Sequence, residues 1–161
     1  MNIIVASCKN GIGLNNRLPW KLKRDMLFFK EKTIGNGNNA VLMGNNTWKS
    51  LKKPLSNRDN MVLSRSIIDT IPKSNPIYFN SYLSFDSYIS TKKYDNIWII
   101  GGEEIYNQFI HVVDYIYLTK IYGDFECDTF FPKIPEKFKL IQSSSIYMEN
   151  DIPYQFQVYK S

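Results

Sequence analysis

Short, nearly unbroken apolar runs recur along this chain with helix-compatible stretches between them, and this alternation narrows the possible folds more than any other feature. The runs are Ile3-Ile4-Val5-Ala6, Ala40-Val41-Leu42-Met43, Met61-Val62-Leu63, Ile77-Tyr78-Phe79, Ile97-Trp98-Ile99-Ile100 and residues 115–121. A strand that is apolar on both sides of its pleat must be covered on both faces. Residues 22–33, 47–51, 82–90 and 103–109 read as helices that could supply the cover. Strands alternating with helices predict an α/β fold around a mostly parallel sheet. The tail differs, because residues 138–147 and 154–159 read as two strands joined by a polar turn at Asn150-Asp151. That pattern predicts an antiparallel hairpin closing one edge, so the sheet is expected to be mixed.

A chain of 161 residues, 43% of them apolar, is enough for one domain with a real core and a ligand cleft, so a single domain over residues 1–161 is expected. No run approaches the roughly eighteen apolar residues of a membrane helix, and no charged-then-apolar leader precedes the first strand-like segment. A cytoplasmic protein with no membrane partner is expected. Cys8 and Cys127 are far apart and His111 is the only histidine, so neither a metal site nor a disulfide is expected. The formal net charge of +5 comes from scattered Lys and Arg. Such a field suits phosphorylated cofactors, polycarboxylates or nucleic acid, and an AT-rich genome would produce the same excess of lysine. An RNA-binding module would need exposed aromatics among clustered bases, whereas here the aromatics mostly fall within apolar runs. No nucleic-acid partner is expected.

In an open α/β sheet the ligand sits beyond the carboxyl ends of the strands. That rule selects the loop after Ser7, the helix start at Leu22 and the turns at Gly44, Ser64-Arg65 and Gly101-Gly102. Residues 11–20, with two glycines and a proline, suit a shaped loop that packs Trp20, although an ordinary connection reads the same way. On the helix from Leu22, residues Leu22, Met26, Phe29 and Thr33 form one stripe with Asp25 on its shoulder. Asp25 is either a first-turn acid favoured by the helix dipole or an acid that grips a cationic or amidine-like ligand. Gly101-Gly102, between an apolar strand and a helix, would let phosphates approach free N–H groups. Neither GxGxxG nor a P-loop is present.

Taken in order, these residues resemble the dihydrofolate reductase family from Ile3 to Tyr159. The resemblance is carried by Ile3 to Ala6, Gly11-Ile12-Gly13, Leu18-Pro19-Trp20, Asp25 with Phe28-Phe29, and Met43-Gly44 with Thr47-Trp48. It continues through Pro54-Leu55 with Arg58, Leu63-Ser64-Arg65, Ile100-Gly101-Gly102 with Ile105-Tyr106, Leu118-Thr119, and Asp128-Thr129-Phe130-Phe131-Pro132. It implies a central eight-stranded mixed sheet flanked by four helices, and a monomeric enzyme that reduces dihydrofolate with NADPH. Hydride would go to C6 and a proton to N5.

The resemblance also assigns roles. Asp25 would hold the pterin through its 2-amino group and ring nitrogen, with Thr119 bracing the carboxylate. A water admitted near Leu18 and Trp20 would bring the N5 proton, Asp25 acting by orientation and charge. Tyr106 and the backbone carbonyls of Ile3 and Ile100 would frame the two rings, with Ile4 and Val5 on the same strand at the substrate. Met26, Phe29, Leu51 and Leu55 would wrap the aminobenzoyl portion. Arg58 would pair bidentately with the glutamate α-carboxylate; read by itself, it is a solvent-facing hairpin residue.

The cofactor would run past Val5, Ala6, Ile12, Gly13, Asn16 and Leu18, then past Gly44, Asn45, Asn46 and Thr47. Its remaining contacts would be Leu63, Ser64 and Arg65, with Gly101, Gly102, Glu103, Glu104, Ile105 and Tyr106. Arg65 is the expected partner of the 2′-phosphate. Asn45 stands where relatives often carry a base and Glu104 lies nearby, so selectivity for NADPH over NADH is expected to be weaker than usual. The Gly101–Gly102 peptide is expected to be cis, and Asp128-Thr129 to support the 11–20 lid. A same-fold reductase of a ribosylated pyrimidine is the nearest rival, and Arg58 with the aromatic pair beside Asp25 argues against it.

Overall fold

The computed structural model describes residues 1–66 and 76–161. The chain runs through β1 (Asn2–Ser7), β2 (Gly11–Gly13), α1 (Lys23–Ile34), β3 (Asn39–Gly44), α2 (Asn45–Ser50), β4 (Asp59–Leu63) and β5 (Ile77–Phe79). It continues through α3 (Tyr82–Ser90), β6 (Asn96–Ile99), α4 (Glu103–Phe109), β7 (Tyr115–Ile121), β8 (Thr129–Phe130), β9 (Lys139–Ser143), β10 (Tyr147–Glu149) and β11 (Ile152–Lys160). The main sheet is ordered β5-β4-β3-β6-β1-β7-β11, with β9 and β10 sharing the far side of β11. β1, β3, β4, β5, β6 and β7 are parallel, while β11 runs antiparallel to β7 and to its edge partners. This is the mixed α/β sheet expected from the alternation, with four helices among the described residues.

Successive residues of β1 feed opposite sides of the sheet, as the pleat requires. Ile3 and Val5 join Leu42, Met61 and Ile99 against Phe85 of α3 and Ile105 and Phe109 of α4. Ile4 joins Val41, Met43, Val62 and Trp98 against Phe29 of α1, Trp48 of α2 and Leu51. Both faces are therefore closed by helices, which explains why the central strands carry no polar alternation. A third cluster of Cys8, Trp20, Leu22, Ile121 and Tyr154 anchors the base of the 11–20 loop. Among the described residues no helix is long and apolar enough to cross a membrane.

Two details differ from expectation. The single strand expected at residues 138–147 is split into β9 and β10. Ser144 causes the break: its N–H donates to Phe156 O at 2.8 Å while its hydroxyl accepts from Phe156 N at 2.9 Å, replacing a ladder step. The second difference is the small β2–β8 pair, which ties the lid loop to the segment before Phe131. The segments Gly11–Gly13 and Thr129–Phe130 carry no apolar run that would mark them as strands.

Candidate active site

A cleft of about 1280 Å³ opens at the carboxyl ends of β1, β3, β4 and β6. Its floor is Val5 and Ala6 of β1 with Ile100 and Gly101, and one wall is Ile12, Gly13, Asn16, Arg17 and Leu18 of the lid. Phe29, Leu51 and Leu55 form an apolar end. The opposite end is polar, with Asn45, Asn46 and Thr47 at the start of α2, Ser64, Arg65 and Ser66 after β4, and Glu103 and Glu104 at the start of α4. Two strand ends meet here closely, Gly44 N donating to Gly101 O at 2.8 Å. Gly101 has φ +115, a conformation that side chains disfavour, and the Gly101–Gly102 peptide is cis, as expected.

The lid is tied down from outside the cleft. Asn15 N donates to Asp128 Oδ2 at 3.0 Å, and Asp128 N donates to Gly13 O at 2.9 Å. Asp128-Thr129 thus contacts the loop it was expected to support.

The acid sits behind the apolar end of the cleft. Asp25, half-buried in the first turn of α1, accepts a hydrogen bond from the Thr119 hydroxyl at 2.6 Å. Burial raises its carboxyl above the ordinary carboxylate range; the Thr119 bond opposes the rise and the negative Glu149 adds to it. No Lys or Arg forms an ion pair with it among the described residues. Tyr106 is buried beside this acid and donates to Ile4 O at 2.9 Å. Burial first, and the Asp25 charge second, push its hydroxyl pKa upward, so it remains neutral. Trp20 is buried, and its indole N–H meets no acceptor among the described residues. A buried N–H of this kind calls for water or a ligand.

Comparison with known proteins now decides the family, because the dihydrofolate reductase family model matches residues 1–161. The chain belongs to the dihydrofolate reductase family. It is 36% identical over 179 residues to the dihydrofolate reductase of Heliothis virescens, covering 99% of this chain and 96% of that one. The similarity to the dihydrofolate reductase of Gallus gallus is 36% over 182 residues, covering 99% and 95%. A bifunctional dihydrofolate reductase-thymidylate synthase of Daucus carota is 35% identical over 173 residues, which is 98% of this chain and 33% of that protein.

Membership of the dihydrofolate reductase family implies a reduced nicotinamide cofactor, and the residues present fit one. The backbone at Gly102 faces the cleft without a side chain, and a Cβ there would meet nothing nearer than Thr47 Oγ1 at 3.6 Å. Ser64, Arg65 and Ser66 give the far end hydroxyls and a cation suited to phosphate.

Most residues expected at the site line this one cleft, including Ile105 and Leu63. Seven do not. Asp25, Thr119, Trp20 and Ile4 lie just behind its surface, linked to it through Phe29, Ala6 and Tyr106. Ile3 is fully buried on the α4 side, and the carbonyl that Tyr106 reaches belongs to Ile4. Met26 is 56% exposed and is not among the residues that line the cleft.

Arg58 is not solvent-facing but buried, with Nε donating to Ser56 O at 2.7 Å and Nη1 to Thr33 Oγ1 at 2.9 Å. It lines a second, smaller pocket of about 250 Å³ with Asn38, Asp59 and Tyr94. Burial lowers the guanidinium pKa, a cost that an anion would relieve.

Arg17, Ser66, Asn80, Ser81, Tyr82, Gln108 and Thr129 also line the cleft and were not anticipated. Ser81 was legible as the cap of α3, where it accepts from Ser84 N at 3.1 Å. Cys8 and Cys127 are free thiols, and His111 is exposed after α4.

Proposed function

We propose that the chain is a cytoplasmic, monomeric enzyme that reduces dihydrofolate to tetrahydrofolate with NADPH, gripping the pterin with Asp25. Two free thiols support the cytoplasmic part. The observation that carries the catalytic part is a half-buried carboxylate with no ion-pair partner among the described residues, fixed at one oxygen by Thr119 at 2.6 Å. Its other oxygen is left to accept from a ligand, and adjacent N–H groups of a flat heterocycle match that demand. Asp25 thereby orients the ring and favours the protonated pterin electrostatically, as its charge has no ion-pair partner among the described residues. When bound, the reduced nicotinamide supplies the hydride. A water taken up by the Trp20 indole N–H, which has no acceptor among the described residues, would be the source of the N5 proton. Phe29, Leu51 and Leu55 exclude solvent around the aminobenzoyl group, and Arg58 takes the glutamate carboxylate. The test is NADPH oxidation by the purified protein: it is expected only when dihydrofolate is added, and a protein that consumes none overturns the reading.

Arg65 carries the preference for NADPH in this proposal, supported by its place between Ser64 and Ser66 at the polar end of the cleft. A charge-assisted contact of this kind corresponds to roughly 10–100-fold in binding. Arg65→Ala is therefore expected to raise KM for NADPH by about that factor and KM for NADH little. Equal effects on the two cofactors would take Arg65 away from the 2′-phosphate.

A further inference from the structure

The first turn of α1, which carries Asp25, is not capped by its own segment. Leu22 precedes the helix and offers no side-chain acceptor. The acceptor comes instead from 126 residues away: Lys23 N donates to Glu149 Oε2 at 2.8 Å, and Arg24 N to Glu149 Oε1 at 3.5 Å. A carboxylate at a helix start is favoured both by the unsatisfied N–H groups and by the dipole.

Glu149 is rigidly placed. It ends β10 directly before the turn at Asn150 and Asp151, whose φ values of 51 and 61 define a tight two-residue hairpin, and it pairs with Ile152 across that turn. β11 then pairs with β7, placing Phe156 opposite Thr119. Asp25 is thus held from two points toward one edge of the sheet, its carboxylate by Thr119 of the inner strand β7 and its helix start by Glu149 of β10. The same edge buttresses α1 through aromatic contacts, with Phe156 stacked on Phe28 at 4.3 Å and Arg24 over the Tyr147 ring at 4.3 Å.

We propose that Glu149 is a positioning residue for Asp25, fixing the first turn of α1 so that the acid meets Thr119 and the substrate at one angle. This rests on the reading of Asp25 as the substrate-gripping carboxylate. Glu149 also acts through its charge, which adds to burial in disfavouring the ionised form of Asp25. The other titratable groups that sense Asp25 are Tyr106 from α4 and Tyr154 from β11, and the Arg24 cation lies on the hairpin side near Tyr154. Removing the Glu149 charge should therefore let Asp25 ionise at lower pH.

The test compares Glu149→Gln and Glu149→Ala in the full chain, following the Asp25 carboxyl signal by NMR titration and kcat/KM for dihydrofolate against pH. Both variants are expected to titrate Asp25 at a lower pH than the parent. Glu149→Ala is expected to lose about tenfold in kcat/KM, because the helix start is released. Glu149→Gln, which keeps an oxygen for Lys23 N, should recover most of that loss. The proposal stands if both the downward shift and the rescue are seen, and falls if either is missing; should the Ala variant fail to fold, the shift in the Gln variant decides. An Asp25→Asn protein that stayed active would instead overturn the underlying reading, so the two failures are distinguishable.

Discussion

Asp25→Asn is expected to lower kcat/KM for dihydrofolate by about 10²–10⁴-fold while raising the melting temperature at neutral pH. The substitution keeps the shape of the side chain and an oxygen for the Thr119 hydroxyl, so the local packing survives. What it removes is the charge that grips and polarises the pterin. The stability change follows from the direction in which the fold shifts this carboxyl. Burial raises it above the ordinary range, so the native state binds the Asp25 proton more tightly than the unfolded chain does. The stabilisation this gives is fully present below the unfolded-state carboxyl pKa and is lost as pH rises through the higher folded-state value. At neutral pH the ionised acid is therefore a net cost to folding, which the neutral amide lacks. Measured side by side, NADPH consumption and thermal melting should move in opposite directions. A variant that lost both activity and stability would mark Asp25 as a structural acid, and one as active as the parent would remove it from the mechanism.

The same acid shows how much of this molecule was legible before any coordinates. The apolar runs identify the central strands because burial on both faces demands an apolar residue at nearly every position, and the structure finds β1, β3, β4, β6 and β7 where those runs lie. Helix ends moved by one or two residues, as at α1, which starts at Lys23, and α2, which starts at Asn45. The turns at Gly44, Ser64 and Gly101 were visible as strand ends followed by small or polar residues, and they do converge on one cleft.

Other features are set by partners distant in sequence. The burial of Arg58 is not legible around it, because one of the groups that hold its guanidinium, Thr33, lies at the end of α1. Nothing near Leu22 reveals the missing cap, because its substitute is Glu149. Met26 falls on the helical stripe by spacing alone, yet it is 56% exposed. Periodicity reports which face of an element is apolar, and the crossing of elements decides how much of that face is used.

Gly101→Ala is expected to destabilise the fold by about 1–3 kcal/mol and to weaken cofactor binding at least tenfold. Two effects coincide at this residue. Its φ of +115 is closed to side chains, and a Cβ would stand 3.2–3.3 Å from Cε2, Cζ and the hydroxyl oxygen of Tyr106. Tyr106 cannot easily yield, because its hydroxyl donates to Ile4 O at 2.9 Å and its ring meets Phe131 edge-on at 5.0 Å. The backbone would have to move instead, and Gly101 O is the acceptor that joins β3 to β6 through Gly44 N at 2.8 Å.

Gly44→Ala supplies the comparison. Gly44 has φ −82, which any residue adopts, and its added Cβ would meet Ile105 Cγ1 at 3.1 Å, with Gly101 O and Gly102 N at an ordinary 3.9 Å. An isoleucine side chain can shift a few tenths of an ångström where a tethered tyrosine cannot, so Gly44→Ala should cost much less in melting temperature and only a few-fold in cofactor KM. Equal losses in the two variants would mean that simple crowding of the cleft floor, and not the backbone conformation at Gly101 with its braced tyrosine, is what the site cannot tolerate.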